Sequence, residues 1–143
     1  MTEKLIELGH TMIGFVTGRS GTATTTRRLE GFLAAMKDAN LPVPDDLTAE
    51  ENLEYRSGLD AGEVLLSRAK RPTAIFASND GIAAGLIAAA HKFGLSVSVD
   101  LSIAGFDDSV LATVVWPPLT TAHQPIKEMA ATAVSSVIAK LRG

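Results

Sequence analysis

The sequence predicts an α/β fold of three layers, α/β/α, in which a mostly parallel sheet lies between helices. Short, nearly unbroken apolar runs at 12–17, 73–77 and 101–106 are typical of parallel strands that are covered on both faces. Segments with apolar residues at helical spacing separate these runs, and that alternation builds strand–helix–strand units. The 143 residues fit a single domain, 1–143, and 46% of them are hydrophobic, which is enough for a core.

The first part of the chain is predicted to place two helices around the first strand. An apolar cluster before Gly9 indicates a short helix that ends at that glycine. After the strand at 12–17, residues 24–39 are predicted to be helical, and Asn40 is expected to end this helix. Its apolar residues follow the i, i+3, i+4, i+7 spacing of one helix face: Leu29, Phe32, Leu33 and Met36.

The middle of the chain gives a weaker strand signal. A strand is expected near 51–53 from its place in the alternation, although the glutamates there disfavour it. Residues 57–68 are predicted to form the next helix, with Ser57 as its N-cap. The side chains expected to point inward are Ala61, Val64 and Leu65.

The second half continues the same alternation. The strand at 73–77 leads into a helix over 81–93, which Gly94 closes, and the strand at 101–106 follows. A last strand is expected at 119–123, and Pro125 suits the first position of a final helix. That helix has a wide apolar stripe, which is typical of a helix facing a core: Ile126, Met129, Ala130, Ala133, Val134, Val137, Ile138 and Leu141.

Composition narrows the function classes. The net charge is −3, and the basic pairs Arg27–Arg28 and Lys70–Arg71 are isolated, so this chain lacks the basic face of a nucleic-acid-binding domain. Because it has no cysteine, it has no disulfide framework and no thiolate metal site, which fits a cytoplasmic location. The three histidines are spread along the chain without a metal-ligand spacing. We therefore predict no metal, no cofactor and no catalysis.

Polar side chains follow the predicted strands where each of them ends. Ligands bind beyond the carboxyl ends of the strands in open parallel sheets. A guanidinium donates to two hydroxyls, a carboxylate accepts from two, and an amide does both, so this set suits a neutral polyol such as a sugar. The residues concerned are Arg28, Asn79, Asp107 and Gln124. Asp107 and Asp108 are not expected to share a cation, because adjacent strand residues point to opposite faces.

Five segments, taken in order, closely resemble the LacI/GalR family of bacterial transcriptional regulators. They are LIELGH (5–10), RLEGF (28–32), PTAIFASND (72–80), GFDD (105–108) and PPLTTAHQP (117–125). The resemblance implies a parent with a helix-turn-helix head, a hinge and a two-lobed sensor of the type I periplasmic-binding-protein-like fold. An effector, often a sugar or a nucleobase, binds between the lobes and changes the affinity for DNA. This chain is then the second, C-terminal lobe, without the DNA-binding head, the hinge and most of the first lobe.

The resemblance also assigns roles to particular residues. It places Arg28, Asn79, Asp107 and Gln124 at the effector site. Thr24 falls where some members have an effector-contacting serine, and Leu53 falls near the stacking aromatic residue of lactose-type members. Leucine at that position argues against a lactose-like ligand. The final helix is implied to pack on the first lobe.

Family members dimerise side by side, partly through the helix after Asn79–Asp80 and a strand expected at 110–116. The parent is therefore expected to be a homodimer. As half of a pocket, the isolated chain is expected to bind effector weakly or not at all.

Two other functions are compatible with these residues. A sugar-binding protein of a transporter has the same fold and would carry an export signal in the parent. An α/β enzyme could act on a phosphosugar through the glycine-containing loop 18–21, with His123 or Asp107 as its catalytic group. That loop lacks the lysine and hydroxyl ending of a phosphate-binding loop, and no nucleophile–base pair accompanies it.

Overall fold

A computed structural model of the chain describes residues 1–18, 22–44, 48–51 and 54–142. Within these residues a five-stranded sheet has the order β2-β1-β3-β4-β5, and every neighbouring pair is parallel. The predicted α/β fold is confirmed. The strands are β1 Ile13–Gly18, β2 Thr48–Glu51, β3 Ala74–Ala77, β4 Ser102–Asp107 and β5 Thr120–His123. The helices are α1 Thr2–Glu7, α2 Ala23–Asp38, α3 Tyr55–Leu66, α4 Asp80–Lys92, α5 Leu111–Val114 and α6 Ile126–Arg142.

The sheet divides the hydrophobic core into two parts. Alternate residues of each strand point to opposite faces, so Phe15 and Phe76 join the α1 and α2 side, where the rings of Phe15 and Phe32 stack at 4.8 Å. Val16 and Ile75 join the other side, which α3 and α4 cover. Burial on both faces is the reason that β3 is apolar along its whole length and β1 nearly so, with Thr17 as its one polar residue.

Helices α3 and α4 pack closely because glycines face each other between them. A Cβ atom at Gly58 would overlap the carbonyl oxygen of Ile82, and one at Gly85 would overlap the carbonyl oxygen of Tyr55. The two backbones are therefore close enough that these positions exclude any side chain. This pair of helices forms the rigid layer on one side of the sheet.

Two expectations for α3 are wrong. The helix begins at Tyr55 with Glu54 at the N-cap position, and Ser57 lies buried within the first turn. Val64 is 59% exposed, whereas Leu65 is buried as expected. The small residues of α3 form the face against α4, so the inward face is set by close backbone packing and leaves Val64 outside.

The segment 110–116, expected as a strand, contains the short helix α5. Only Ala112 of α5 is buried, at 4% exposure, in the part of the core that α3 and α4 cover. The segment therefore lacks the burial of alternate residues that a strand with one buried face shows. The carbonyl oxygen of Ala112 accepts from the amide of Leu119 at 2.9 Å, which joins α5 to the segment before β5.

Helix α6 does not face a core within this chain. None of its residues is buried, and its large apolar side chains are 41–82% exposed. The expectation that its stripe is core-facing is therefore wrong for this chain taken by itself. In the part of the chain that the structure describes, no helix is both long and apolar enough to span a bilayer.

Because all five strands are parallel, their carboxyl ends lie at one edge of the sheet. We call this the carboxyl-terminal edge. Ser78, Asp107 and His123 end or follow strands there, and α2 and α4 begin there. The sheet topology thus brings together residues that are distant in sequence.

Candidate functional site

Arg28 extends from the second turn of α2 to the carboxyl-terminal edge and is held on three sides. Its Nη1 donates to the carbonyl oxygen of Ser78, and its Nη2 lies 3.4 Å from Oδ1 of Asp107. Its guanidinium carbon lies 4.1 Å from the centroid of the Phe106 ring, which is a cation–π distance. The side chain is only 13% exposed. Its orientation is therefore fixed before any ligand arrives.

Asp107 ends β4 in a backbone conformation that few non-glycine residues adopt. Its φ is +119° and that of Asp108 is +54°, so the chain turns sharply after the strand. Oδ1 of Asp107 accepts from Arg28 and also from Nε2 of Gln124. Among the described residues Oδ2 accepts no hydrogen bond, and the side chain is 36% exposed. One carboxylate oxygen thus orders the site while the other can accept from a ligand.

We call Arg28, Asp107 and Gln124 the polar cluster. They come from α2, the end of β4 and the residue after β5, and the fold joins them through the shared Oδ1. The arrangement places donors on both sides of an acceptor, which matches neighbouring hydroxyl groups. The partly buried ion pair favours a ligand that can satisfy both charges over an apolar one.

Of the other predicted site residues, Asn79 and Thr24 lie at the carboxyl-terminal edge, where α4 and α2 begin. Asn79 follows Ser78, and its Oδ1 caps α4 by accepting from the amide of Ile82 at 2.8 Å. Thr24 is exposed in the first turn of α2, one turn before Arg28 and on the same helix face. Leu53 lies outside the described residues.

The histidines are widely separated. His10 lies at the opposite edge of the sheet, where its ring nitrogens are 2.9 Å from Thr73 Oγ1 and 3.0 Å from Ser102 Oγ. His91 is on the exposed side of α4. His123 is at the carboxyl-terminal edge, with Nδ1 2.8 Å from Oδ2 of Asp108. Within the described ranges no group of three or more His, Asp or Glu side chains could hold a metal ion.

A cleft of about 370 Å³ lies beside the polar cluster, on the α1–α2 side of the sheet. Arg28 forms one wall, and Phe76, Phe106 and Ala122 form much of an apolar floor. Arg28 thus belongs both to the polar cluster and to the wall of this cleft.

Sequence reasoning missed three contributors to this site. Phe106 was visible only as a strand residue, but it stacks against Arg28. Asp80, which is buried, accepts from the half-buried hydroxyl of Thr121 at 2.6 Å, and this contact supports the turn after β4. The sequence shows that Asp80 lies at the start of α4. Its burial depends on the neighbouring strands and could not be inferred from the sequence.

The family described as "Periplasmic binding protein-like domain" matches residues 2–143. The ribose operon repressor of Escherichia coli (strain K12) is 40% identical over 140 residues, which covers 98% of this chain and 42% of the repressor. The chain therefore spans less than half the length of this relative.

Two solved structures share the fold. A regulatory protein of the LacI family from Chloroflexus aggregans is 34% identical with a TM-score of 0.96, covering 99% of this chain and 51% of that one. A lac repressor dimer bound to operator and to the anti-inducer ONPF is 28% identical with a TM-score of 0.88, covering 95% of this chain and 47% of that one.

Proposed function

Because the chain belongs to the periplasmic binding protein-like family, among the LacI/GalR transcriptional regulators, we propose that it is the C-terminal effector-binding lobe of such a regulator. The polar cluster is the observation that carries this proposal. Arg28 and Gln124 present donors, and Asp107 presents an acceptor, at the edge where a second lobe would close. The lobe binds a small molecule and performs no chemistry on it.

The effector is a hydroxylated small molecule, in the first instance a sugar. A pair of adjacent hydroxyls can accept from the fork of Arg28 and donate to the free Oδ2 of Asp107. An analogue without those hydroxyls would leave buried polar groups unpaired, which costs about 1–3 kcal/mol for each group. The relative named for the ribose operon supports a sugar as the first class to test.

In the parent, effector binding would shift the balance between lobe arrangements with different affinities for DNA. A ligand shifts such a balance only by its difference in affinity for the two states. The polar cluster is already ordered on this lobe, so the difference must arise from contacts that the other lobe adds. A cytoplasmic location belongs to the same proposal, since the target is DNA.

The parent is a homodimer in this proposal. A surface patch near α5 exposes large apolar side chains that monomers usually bury or separate. These side chains, the α5 patch, are Val110 at 77%, Leu111 at 41%, Val114 at 66% and Trp116 at 77% exposed. The matching lac repressor structure is a dimer, which supports association as such, and the exposed α5 patch is the reason that we place the contact on this side of the lobe.

The test is a ¹⁵N NMR titration of this chain with D-ribose and, separately, with the nucleobase hypoxanthine, at millimolar concentrations. We expect D-ribose to shift the amide signals of Asn79, Asp107 and Gln124, with weak affinity because half the pocket is absent. Shifts confined to residues away from the carboxyl-terminal edge, or no shift with either probe, would contradict the proposal. Stronger shifts with hypoxanthine at the same amides would retain the site and replace the sugar.

A further inference from the structure

We propose that Asp80 is a positioning residue of this site, whose buried carboxylate holds the turn that presents Asp107 to the effector. The link to an effector depends on the proposed function. The arrangement of the turn does not depend on the proposed function, and it can be tested without any ligand. Asp80 is the first residue of α4 and is 1% exposed, so it cannot itself contact a ligand at the surface.

Both carboxylate oxygens of Asp80 accept hydrogen bonds from the two chain segments that flank the site. Oδ2 accepts from the backbone amide of Ser109 at 2.7 Å, just after the turn. Oδ1 accepts from the hydroxyl of Thr121 on β5 at 2.6 Å. The carboxylate therefore joins the segment after β4 to β5, the strand that leads to Gln124.

Thr121 extends this restraint by one residue. Its Oγ1 accepts from the backbone amide of Asp108 at 3.2 Å. Because that amide can only donate, the hydroxyl hydrogen of Thr121 is directed to Asp80. Asp80 therefore holds two consecutive amides, Ser109 directly and Asp108 through Thr121.

The restrained turn is the one with unusual backbone conformations. Positive φ angles at non-glycine residues persist where the surroundings hold them, and Asp107 and Asp108 have φ of +119° and +54°. These angles turn the Asp107 carboxylate toward Arg28 and Gln124. We infer that the Asp80 contacts keep the turn in this conformation.

The surroundings of Asp80 are arranged to receive a carboxylate. Gly105 leaves room for it, because a Cβ atom there would overlap Oδ1 of Asp80 and lie 2.8 Å from Cδ2 of Leu119. The N-terminus of α4 supplies a favourable field for a negative charge. Two donors converge on the group, and an asparagine would present only one acceptor oxygen to them.

The test compares side-chain signals of the polar cluster in ligand-free variants. In Asp80→Asn and in Thr121→Val we expect the Gln124 side-chain amide and Arg28 guanidinium signals to move toward their positions in Asp107→Ala. Thr121→Ser keeps the hydroxyl and should restore the wild-type signals. The matched control is Thr120→Val, an exposed position on the same strand, which should leave them unchanged. If Asp80→Asn does not fold, Thr121→Val tests the same restraint.

A purely structural role gives a different result. Asp80→Asn and Thr121→Val would then lower the melting temperature while the Gln124 and Arg28 signals stayed at their wild-type positions, and the proposal would be overturned. With D-ribose as probe, we further expect affinity to fall about tenfold in Thr121→Val, the loss of one hydrogen bond to a charged group. If wild type does not bind, the proposed function fails while the ligand-free comparison still decides this inference.

Discussion

Arg28 is held in one orientation by its surroundings. A basic residue opposes the helix dipole mainly in the first turn, and Arg28 lies in the second turn of α2, so this cost is small. The contacts with Ser78, Asp107 and Phe106 fix the orientation of the guanidinium group. A lysine keeps the charge but has neither the fork nor the planar face that stacks on the phenyl ring.

At this scale we predict that Arg28→Lys abolishes the NMR shifts that D-ribose causes at Asp107 and Gln124. Arg27→Lys is the matched control, because Arg27 is the exposed neighbour on the same helix. In Arg27→Lys, the affinity for D-ribose obtained from these shifts should stay within about twofold of the wild-type value, as expected for a surface substitution. Unchanged shifts in Arg28→Lys would mean that charge alone, and not the guanidinium fork of Arg28, governs binding. Equal losses in both variants would mean that the effect is not specific to Arg28.

Residues of the site could be predicted where a position at the end of a predicted strand was enough to identify them as candidates. Arg28, Asp107 and Gln124 were named from the sequence, and the structure brings these three together, although their role in binding stays a prediction. Asp80 was not predicted because an acid at the start of a helix usually lies in solvent. Only the approach of β4 and β5 buries it, and no local pattern encodes that approach.

The packing of helices α3 and α4 likewise could be predicted only in part from local sequence patterns. The apolar periodicity predicted both helices, but it placed Val64 on the inward face, whereas Val64 is exposed. Periodicity is read from apolar side chains, so it does not identify a contact face that is made of glycines. The strands were clearer, since burial on both faces makes β3 continuously apolar and β1 nearly so. β2 was harder to predict because glutamates occur in its sequence, Thr48–Glu51.

At the scale of elements we predict that Gly85→Ala destabilises the protein by roughly 3 kcal/mol or more, because its Cβ would collide with the backbone of α3. Gly31→Ala is the matched control, since nothing lies within 4 Å of a Cβ at Gly31 on α2. It should stabilise by about 0.5–1 kcal/mol through helix propensity. Urea unfolding measures both, and equal effects of the two substitutions would contradict the close α3–α4 packing.

The whole molecule exposes more surface than its size requires. A monomer of 15.0 kDa is expected to expose about 7,000 Å², whereas this chain exposes 8347 Å². Helix α6 buries none of its residues and therefore contributes to this exposed area. The excess, about 1,300 Å², exceeds one side of a standard protein interface. The apolar periodicity of α6 could be recognised in the sequence, and the family resemblance implied that its partner is the first lobe, which agrees with its exposure in this chain.

We predict that α6 contributes little to the stability of the chain. Val137→Ala on α6 should change the free energy of unfolding by less than about 0.5 kcal/mol, because Val137 is 58% exposed. Val16→Ala, the same change at a fully buried position, should cost roughly 2 kcal/mol. Similar losses in the two variants would show that α6 packs against the core.

We also predict that the α5 patch mediates self-association. Trp116 is the single tryptophan, so its emission reports on the patch directly. A shift of that emission to shorter wavelength with rising concentration, together with a dimer in sedimentation, is the expected result. Trp116→Ser should weaken the dimer, whereas Tyr55→Ser, also an exposed aromatic residue, should not. A wild-type chain that stays monomeric at high concentration would exclude this interface.

A crystal structure of this chain soaked with D-ribose would test directly whether the polar cluster binds a sugar. We expect two neighbouring sugar hydroxyls within hydrogen-bonding distance of the Arg28 guanidinium and Oδ2 of Asp107, with Gln124 keeping its bond to Oδ1. A sugar lying instead in the apolar cleft over Phe76 and Phe106, with the polar cluster untouched, would contradict this expectation.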